Sequence, residues 1–203
     1  MNIVLKQAQP KQVWLPLFPL NTVVFPGGRL PLRIFEQRYL DMVKQAIAGN
    51  TPFGICAIRE GTEVGTPAIP YLIGTRVQIT EWDMPQTGIL HIDTQAQDRF
   101  VIRDTRTEAN GLLMGNVETI GAEPAIAIPD DLELAVEILR HIIGEYGDAH
   151  FPAPHDFDNA VWVGYRLSEV LPLKLAARQN LLEMNDSVTR LRILTEFVKK
   201  QIN

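Results

Sequence analysis

Along the chain, apolar residues come first in short clusters broken by proline, then in alternation with polar ones, and last at helical spacing. The opening order is Trp14-Leu15-Pro16-Leu17-Phe18-Pro19-Leu20, then Asn21-Thr22-Val23-Val24-Phe25-Pro26-Gly27-Gly28. Leu30-Pro31-Leu32 and Ile34-Phe35-Glu36-Gln37-Arg38-Tyr39 follow. Pro16, Pro19, Pro26 and Pro31 exclude a helix and argue against a central strand, because each removes a backbone donor. Short extended pieces with sharp turns are expected, and Pro26-Gly27-Gly28 is the strongest turn signal. A helix from about Glu36 to Ala48 comes next. It carries Tyr39, Leu40, Val43 and Ile47 on one stripe, with Gly49 as its stop. Met1 to Val13 is too polar to pack and reads as a lead-in.

Phe53 to Ile58 is a short apolar run bounded by Pro52 and by Arg59-Glu60-Gly61, which predicts a buried strand. Glu60 to Pro67 is a loop. Alternation from Ile69 to Thr80 predicts a strand bent at Gly74. Glu81 to Gly88 reads as a turn holding Trp82, Met84 and Pro85. Two strands follow, Ile89 to Ala96 and Arg99 to Thr105, connected at Gln97-Asp98. Asn110-Gly111 predicts a hairpin turn into Leu112 to Ile120. Strands without intervening helices indicate an antiparallel barrel or sandwich.

After Gly121-Ala122-Glu123-Pro124 the period changes. Leu132, Ala135, Val136, Leu139, Ile142, Ile143 and Tyr146 predict a helix over 131–146, with Asp130 and Glu133 as a capping box and Gly147 as its end. Further helices are predicted over Asp158–Leu171, Lys174–Met184 and Asp186–Gln201. In the last, Val188, Leu191, Leu194 and Val198 form the apolar stripe, which puts Arg190, Arg192, Lys199 and Lys200 in water. The fold class is α+β.

Composition narrows the function. The 203 residues are 46% hydrophobic and 21% charged, ordinary for a globular protein. A formal net charge of −5 argues against non-specific nucleic-acid binding. Cys56 is the one cysteine, so no disulfide can form within the chain and no thiolate zinc cluster can be built. The N-terminus lacks a signal-peptide core and no apolar run reaches the ~20 residues of a membrane span, so a cytoplasmic location is expected.

The ordered set L-P-L-F-P-L, V-V-F-P-G and L-P-L-x-I-F-E-x-R-Y resembles the start of the Lon protease N-terminal domain. Further on, Gly74-Thr75-Arg76-Val77, Gly88-Ile89-Leu90 and Arg99-Phe100-Val101-Ile102 are similar to its strand motifs. Leu171-Pro172-Leu173, Gln179-Asn180-Leu181-Leu182-Glu183, Asp186 and Arg190-Leu191 are similar to its closing pattern. The resemblance covers nearly the whole chain and implies a PUA-like β-barrel followed by a helical bundle, in the free-standing bacterial form. Residues 1–122 would be the barrel with one helix at about 36–48, and 123–203 the bundle. It also implies recognition of unfolded or tagged polypeptide, or of a protein partner such as a separate protease. No G-x-x-x-x-G-K-[ST] loop is present in the 203 residues, so neither an ATPase module nor a protease domain is expected here.

Candidate chemistry is sparse, and no catalytic set or cofactor motif is recognisable. Glu36, Arg38 and Tyr39 could line a peptide groove, or could serve the helix dipole and a neighbouring strand. Trp82, Met84 and Pro85 in a turn would be interface anchors, or would fold back on the sheet. His150 and His155, with Asp148, Asp156 and Asp158, could bind a metal, but the two prolines between them favour a solvated linker. His91 and His141 read as packed or half-exposed residues. Cys56 in an apolar strand reads as inert, and Ser168 and Ser187 lie outside any nucleophile elbow. The leading expectation is a non-enzymatic module whose 81–85 turn and first helix bind apolar peptide. RNA binding through Arg99, Arg103 and Arg106 is the alternative, blunted by Asp98, Asp104 and Glu108. A small hydrolase has no recognisable residues behind it.

Overall fold

The prolines do not keep the opening stretch out of the sheet. In this computed structural model, which describes residues 13–65, 68–147, 151 and 153–202, Val13–Leu20 is strand β1. The remaining strands are β2 (Arg29–Ile34), β3 (Phe53–Glu60), β4 (Ile69–Pro70), β5 (Ile73–Gln86), β6 (Ile89–Thr107) and β7 (Leu113–Thr119). Helix α1 (Gln37–Gly49) lies between β2 and β3. Of the lead-in expected over Met1 to Val13, residues 1–12 fall outside the described residues, as do Asp148, His150 and Pro152, and Val13 already belongs to β1.

Strand β1 changes neighbour at Leu17. Val13–Leu17 pair antiparallel with β7, and Leu17–Leu20 pair parallel with β3. Pro16 and Pro19 therefore each need a partner on one side only, and the missing N–H can face the other. That is why the expectation against a central strand is overturned. Pairing continues β7–β6–β5–β3, all antiparallel, so the five strands close a ring with one parallel step at β1–β3. Among the described residues, strand β2 pairs only with the first part of β6, and β4 only with β3.

Two further expectations change. Gln97-Asp98 does not connect two strands, since β6 runs unbroken for 19 residues. The register shifts there, from Ala96 opposite Val77 to Arg99 opposite Thr75, which is a bulge that bends the strand. Trp82, Met84 and Pro85 are also strand residues, on a β5–β6 arm whose turn is Thr87-Gly88. Gly74 does more than bend β5. A Cβ there would stand 2.5 Å from the Ile55 carbonyl oxygen and 2.8 Å from Phe100, so only glycine lets these strands approach.

The helical part comprises α2 (Glu133–Tyr146), α3 (Ala160–Val170), α4 (Leu175–Glu183) and α5 (Ser187–Ile202), with a 3-10 turn at Asp130–Leu132. The capping box expected at Asp130 and Glu133 is absent, because the 3-10 turn takes its place and neither N-cap makes a side-chain bond. Asn159 caps α3 through Val161 N–H, and Asp186 caps α5 through Thr189 N–H. At the end of α1 the left-handed residue is Asn50 (φ 48°), one place beyond the predicted glycine.

Three apolar clusters fill the interior. One joins α1 (Tyr39, Leu40, Val43) to the sheet through Phe53, Val77 and Ile92. A second packs Leu17, Cys56, Phe100 and Val117. The third collects α2, α3, α4 and α5, and it takes in Val23 and Phe25 from the opening stretch. The turn after Phe25 is clamped from α3. Arg166 donates to the Pro26 carbonyl at 2.8 Å and to Glu169 at 3.0 Å, while Glu169 accepts the Phe25 N–H. Gly28 leaves room for that carboxylate, since a Cβ would lie 2.1 Å from Glu169 Oε1. Among the described residues no helix is long and apolar enough to cross a membrane.

Candidate functional site

Beyond Thr80 the β5–β6 arm leaves the packed sheet, and every residue from Glu81 to Gly88 is exposed. Trp82 is 57% exposed and Met84 42%, unusual for groups whose burial would each yield about 1.5–3 kcal/mol. Pro85 sits beside them without a backbone donor, on the outer part of β5, where β6 is the strand's partner among the described residues. Register brings Leu32, Ile92 and Trp82 side by side across β2, β6 and β5. A cleft of about 410 Å³ forms around them, rimmed by Arg33, Asp83 and His91.

Glu36, Arg38 and Tyr39 lie on the other side of β2. Glu36 is the N-cap of α1 but makes no side-chain cap bond. It pairs instead with Arg38 at 2.9 Å. Arg38, 7% exposed, donates to the Gly111 carbonyl at 3.2 Å and lies 4.6 Å from the Tyr39 ring centre. Tyr39 is 5% exposed and stacks on Phe18 with ring centres 3.9 Å apart. Its burial raises the phenol above its ordinary value, with the Arg38 guanidinium pulling the other way. Arg38 thus ties α1 to the β6–β7 turn, which is a structural task.

A second, smaller cleft of about 140 Å³ opens beside Glu36 and Tyr39. Leu32 and Arg33 line both clefts, so β2 forms a shared ridge between them. Sequence reasoning missed Phe35 and Val64 here, each 56% exposed at the second cleft. Phe35 takes the outward place that follows Pro31 and Arg33 in the alternation of β2, yet it is apolar, and that mismatch is the readable signal.

The other candidates do not converge on this surface. Arg99 is 3% exposed and bonded to the α4–α5 connection, whereas Arg103 and Arg106 pair with Glu118 and Glu108. Their spread dissolves the expected basic hairpin. His155 packs against Phe157 and Trp162, and its Nε2 lies 2.7 Å from the Phe151 carbonyl. His150 lies outside the described residues. Among the described residues, no three His, Cys, Asp or Glu groups are placed to hold a metal ion. Burial pushes the Cys56 thiol upward, which removes it as a nucleophile.

Residues 14–200 match the family described as the ATP-dependent protease La (LON) substrate-binding domain. The chain is 24% identical to a Lon protease of Xanthomonas oryzae pv. oryzae over 97% of its own length, and 36% identical to one of Dictyoglomus thermophilum over 35%. It spans 24% of the length of the first relative and 9% of the second. Among solved structures, a Lon N-terminal domain protein from Xanthomonas campestris is similar at a TM-score of 0.75 and 32% identity, covering 90% of this chain and 96% of that one. The N-terminal domain of a Mycobacterium avium complex Lon protease shares the fold alone, with a TM-score of 0.61 and 16% identity over 92% and 98% of the two chains. With the match running through the proline-broken opening, the sheet and the closing helices, the chain belongs to the Lon substrate-binding domain family.

Proposed function

We propose that this chain is a non-enzymatic recognition module that binds exposed apolar segments of unfolded or tagged polypeptides. In this reading residues 1–122 act as a PUA-like barrel unit and 123–203 as a helical bundle beside it. The observation that carries the reading is the group of exposed apolar side chains, Phe35, Val64 and Trp82, at two clefts that share Leu32 and Arg33, with exposed Met84 two residues beyond Trp82 on the same strand. Large apolar groups left in water around a concave surface mark interaction sites. Among the described residues the edge of β2 away from β6 has no strand partner, and an extended peptide could pair with it.

Recognition here needs no bond-making. Apolar side chains of the target enter the clefts, Trp82 and Phe35 cover them, and backbone pairing along β2 holds the segment extended. The polar rim of Arg33, Asp83 and His91 admits chains of varied sequence. The test compares a permanently unfolded, carboxymethylated polypeptide with its native form by equilibrium binding. Preference for the unfolded form is expected, and equal or absent binding would overturn the reading. RNA binding loses its main support, because Arg99 is buried and the remaining arginines of that strand are paired with carboxylates.

A further inference from the structure

Where the opening stretch meets α2, α3 and α4, a cavity of about 530 Å³ has apolar walls that include Val23, Leu30, Ile142, Phe151 and Leu171. Three charged side chains also line it: Arg29 from β2, Glu169 from α3 and Arg178 from α4. Glu169 is already engaged by Arg166 and the Phe25 N–H. Burial also raises its pKa to about 7, which reduces its negative charge near neutrality. Arg29 is exposed and makes no side-chain hydrogen bond or ion pair among the described residues. Arg178 donates from Nη2 to the Leu171 carbonyl at 3.1 Å, and its buried Nε has no acceptor. The charge left over for a ligand is therefore positive, in an apolar enclosure.

We propose that this cavity receives the C-terminal residue of a polypeptide, its apolar side chain against Val23, Leu30 and Leu171 and its free carboxylate on Arg29 and Arg178. The proposal rests on the recognition reading and names the part of the target that is read. Guanidinium groups match a carboxylate geometrically, with paired N–H donors. The chain end is the one place where a polypeptide backbone carries a carboxylate. The Arg178 Nε has no acceptor within the described protein, and a carboxylate offers a charged one, with a stronger hydrogen bond than a neutral carbonyl of an internal segment would give. Arg29 and Leu30 of β2 line this cavity, and Leu32 of the same strand lines the cleft beside Trp82. The residues preceding the chain end would lie extended along β2 toward Trp82.

The test uses a fluorescein-labelled peptide of about ten residues ending in leucine, made as the free acid and as the C-terminal amide. Anisotropy titrations are run with the whole chain and with Arg29→Gln, Arg178→Gln and Trp82→Ala. The free acid should bind about tenfold more tightly than the amide. Arg29→Gln, at an exposed position that the fold does not need, should bring that ratio close to unity, and Arg178→Gln should do the same. Trp82→Ala should weaken both forms alike and keep the ratio. Equal binding of acid and amide would overturn the C-terminal assignment while leaving general recognition standing. Binding of neither form would overturn both. Capture of decanoate without capture of the free-acid peptide would assign the cavity to a fatty acid and overturn the proposal.

Discussion

Glu123 and Arg190 face each other at 2.6 Å with side chains 3% and 0% exposed. A second nitrogen of Arg190 reaches the other carboxylate oxygen at 3.2 Å, so the contact is bidentate. Arg99 stands 3.3 Å from the same carboxylate, and the Tyr165 hydroxyl donates to it. The spare donors of both arginines go to the carbonyls of Leu181, Leu182 and Met184, where α4 passes into α5. One carboxylate in the link after the sheet thus joins β6 to three helices. Burial, with the hydrogen bond to Glu123 second, pushes the Tyr165 phenol up to about 12.

Glu123→Gln should therefore be severely destabilising, by about 3–5 kcal/mol, because it leaves two buried guanidinium groups without a counter-charge. Urea unfolding followed by far-UV circular dichroism gives the figure. Adding Arg190→Met should recover part of the loss, since the second change removes one of the stranded charges. A loss below about 1 kcal/mol for the single variant would mean that the cluster does not hold the helices to the sheet.

Stability should also depend on pH through Glu169. Its folded pKa of about 7 stands above the ordinary value of 4.5. Between those values the folded chain keeps a proton that the unfolded chain has released, so stability falls as pH rises from about 4.5 to 7 and levels off above. The size is on the order of 2 kcal/mol, allowing for a side chain 22% exposed. Glu169→Gln should flatten this slope. An unchanged slope in the variant would assign it to other groups.

Two glycines should respond in opposite directions to alanine. At Gly74 the new Cβ meets backbone and Phe100 at 2.5–2.8 Å, so Gly74→Ala should cost about 1–3 kcal/mol. At Gly144, within α2, nothing lies within 4 Å, and the substitution should stabilise by about 0.5–1 kcal/mol. Thermal unfolding of the two variants reads both signs.

Most of the helices were legible because apolar spacing and terminal glycine or proline are local signals. Strand β1 was not, because the rule that excludes proline from a central strand assumes one neighbour on each side along its length. The continuous β6 was missed because polar Gln97-Asp98 reads as a connection, when it is a bulge within the pairing of β6 with β5. Arg190 was assigned to water on charge alone. Its position shares the spacing of the buried stripe Ser187, Leu191, Leu194 and Val198, which would have placed it inward. The chemistry that makes this tolerable, Glu123, lies 67 residues away and leaves no local trace. At the candidate surface, Trp82 and Met84 were legible as large apolar groups in a polar stretch, whereas the placement of Phe35 and Val64 beside Tyr39 needed the fold.

The recognition reading is tested most directly at Trp82. Titration of a fluorescent, permanently unfolded polypeptide into the chain and into Trp82→Ala, with unfolding curves for both, separates binding from folding. The exposed indole should contribute little to stability, so the two curves should agree within about 0.5 kcal/mol, while affinity should drop about tenfold or more. Equal affinity in the variant, or no binding by the parent chain, would contradict the account.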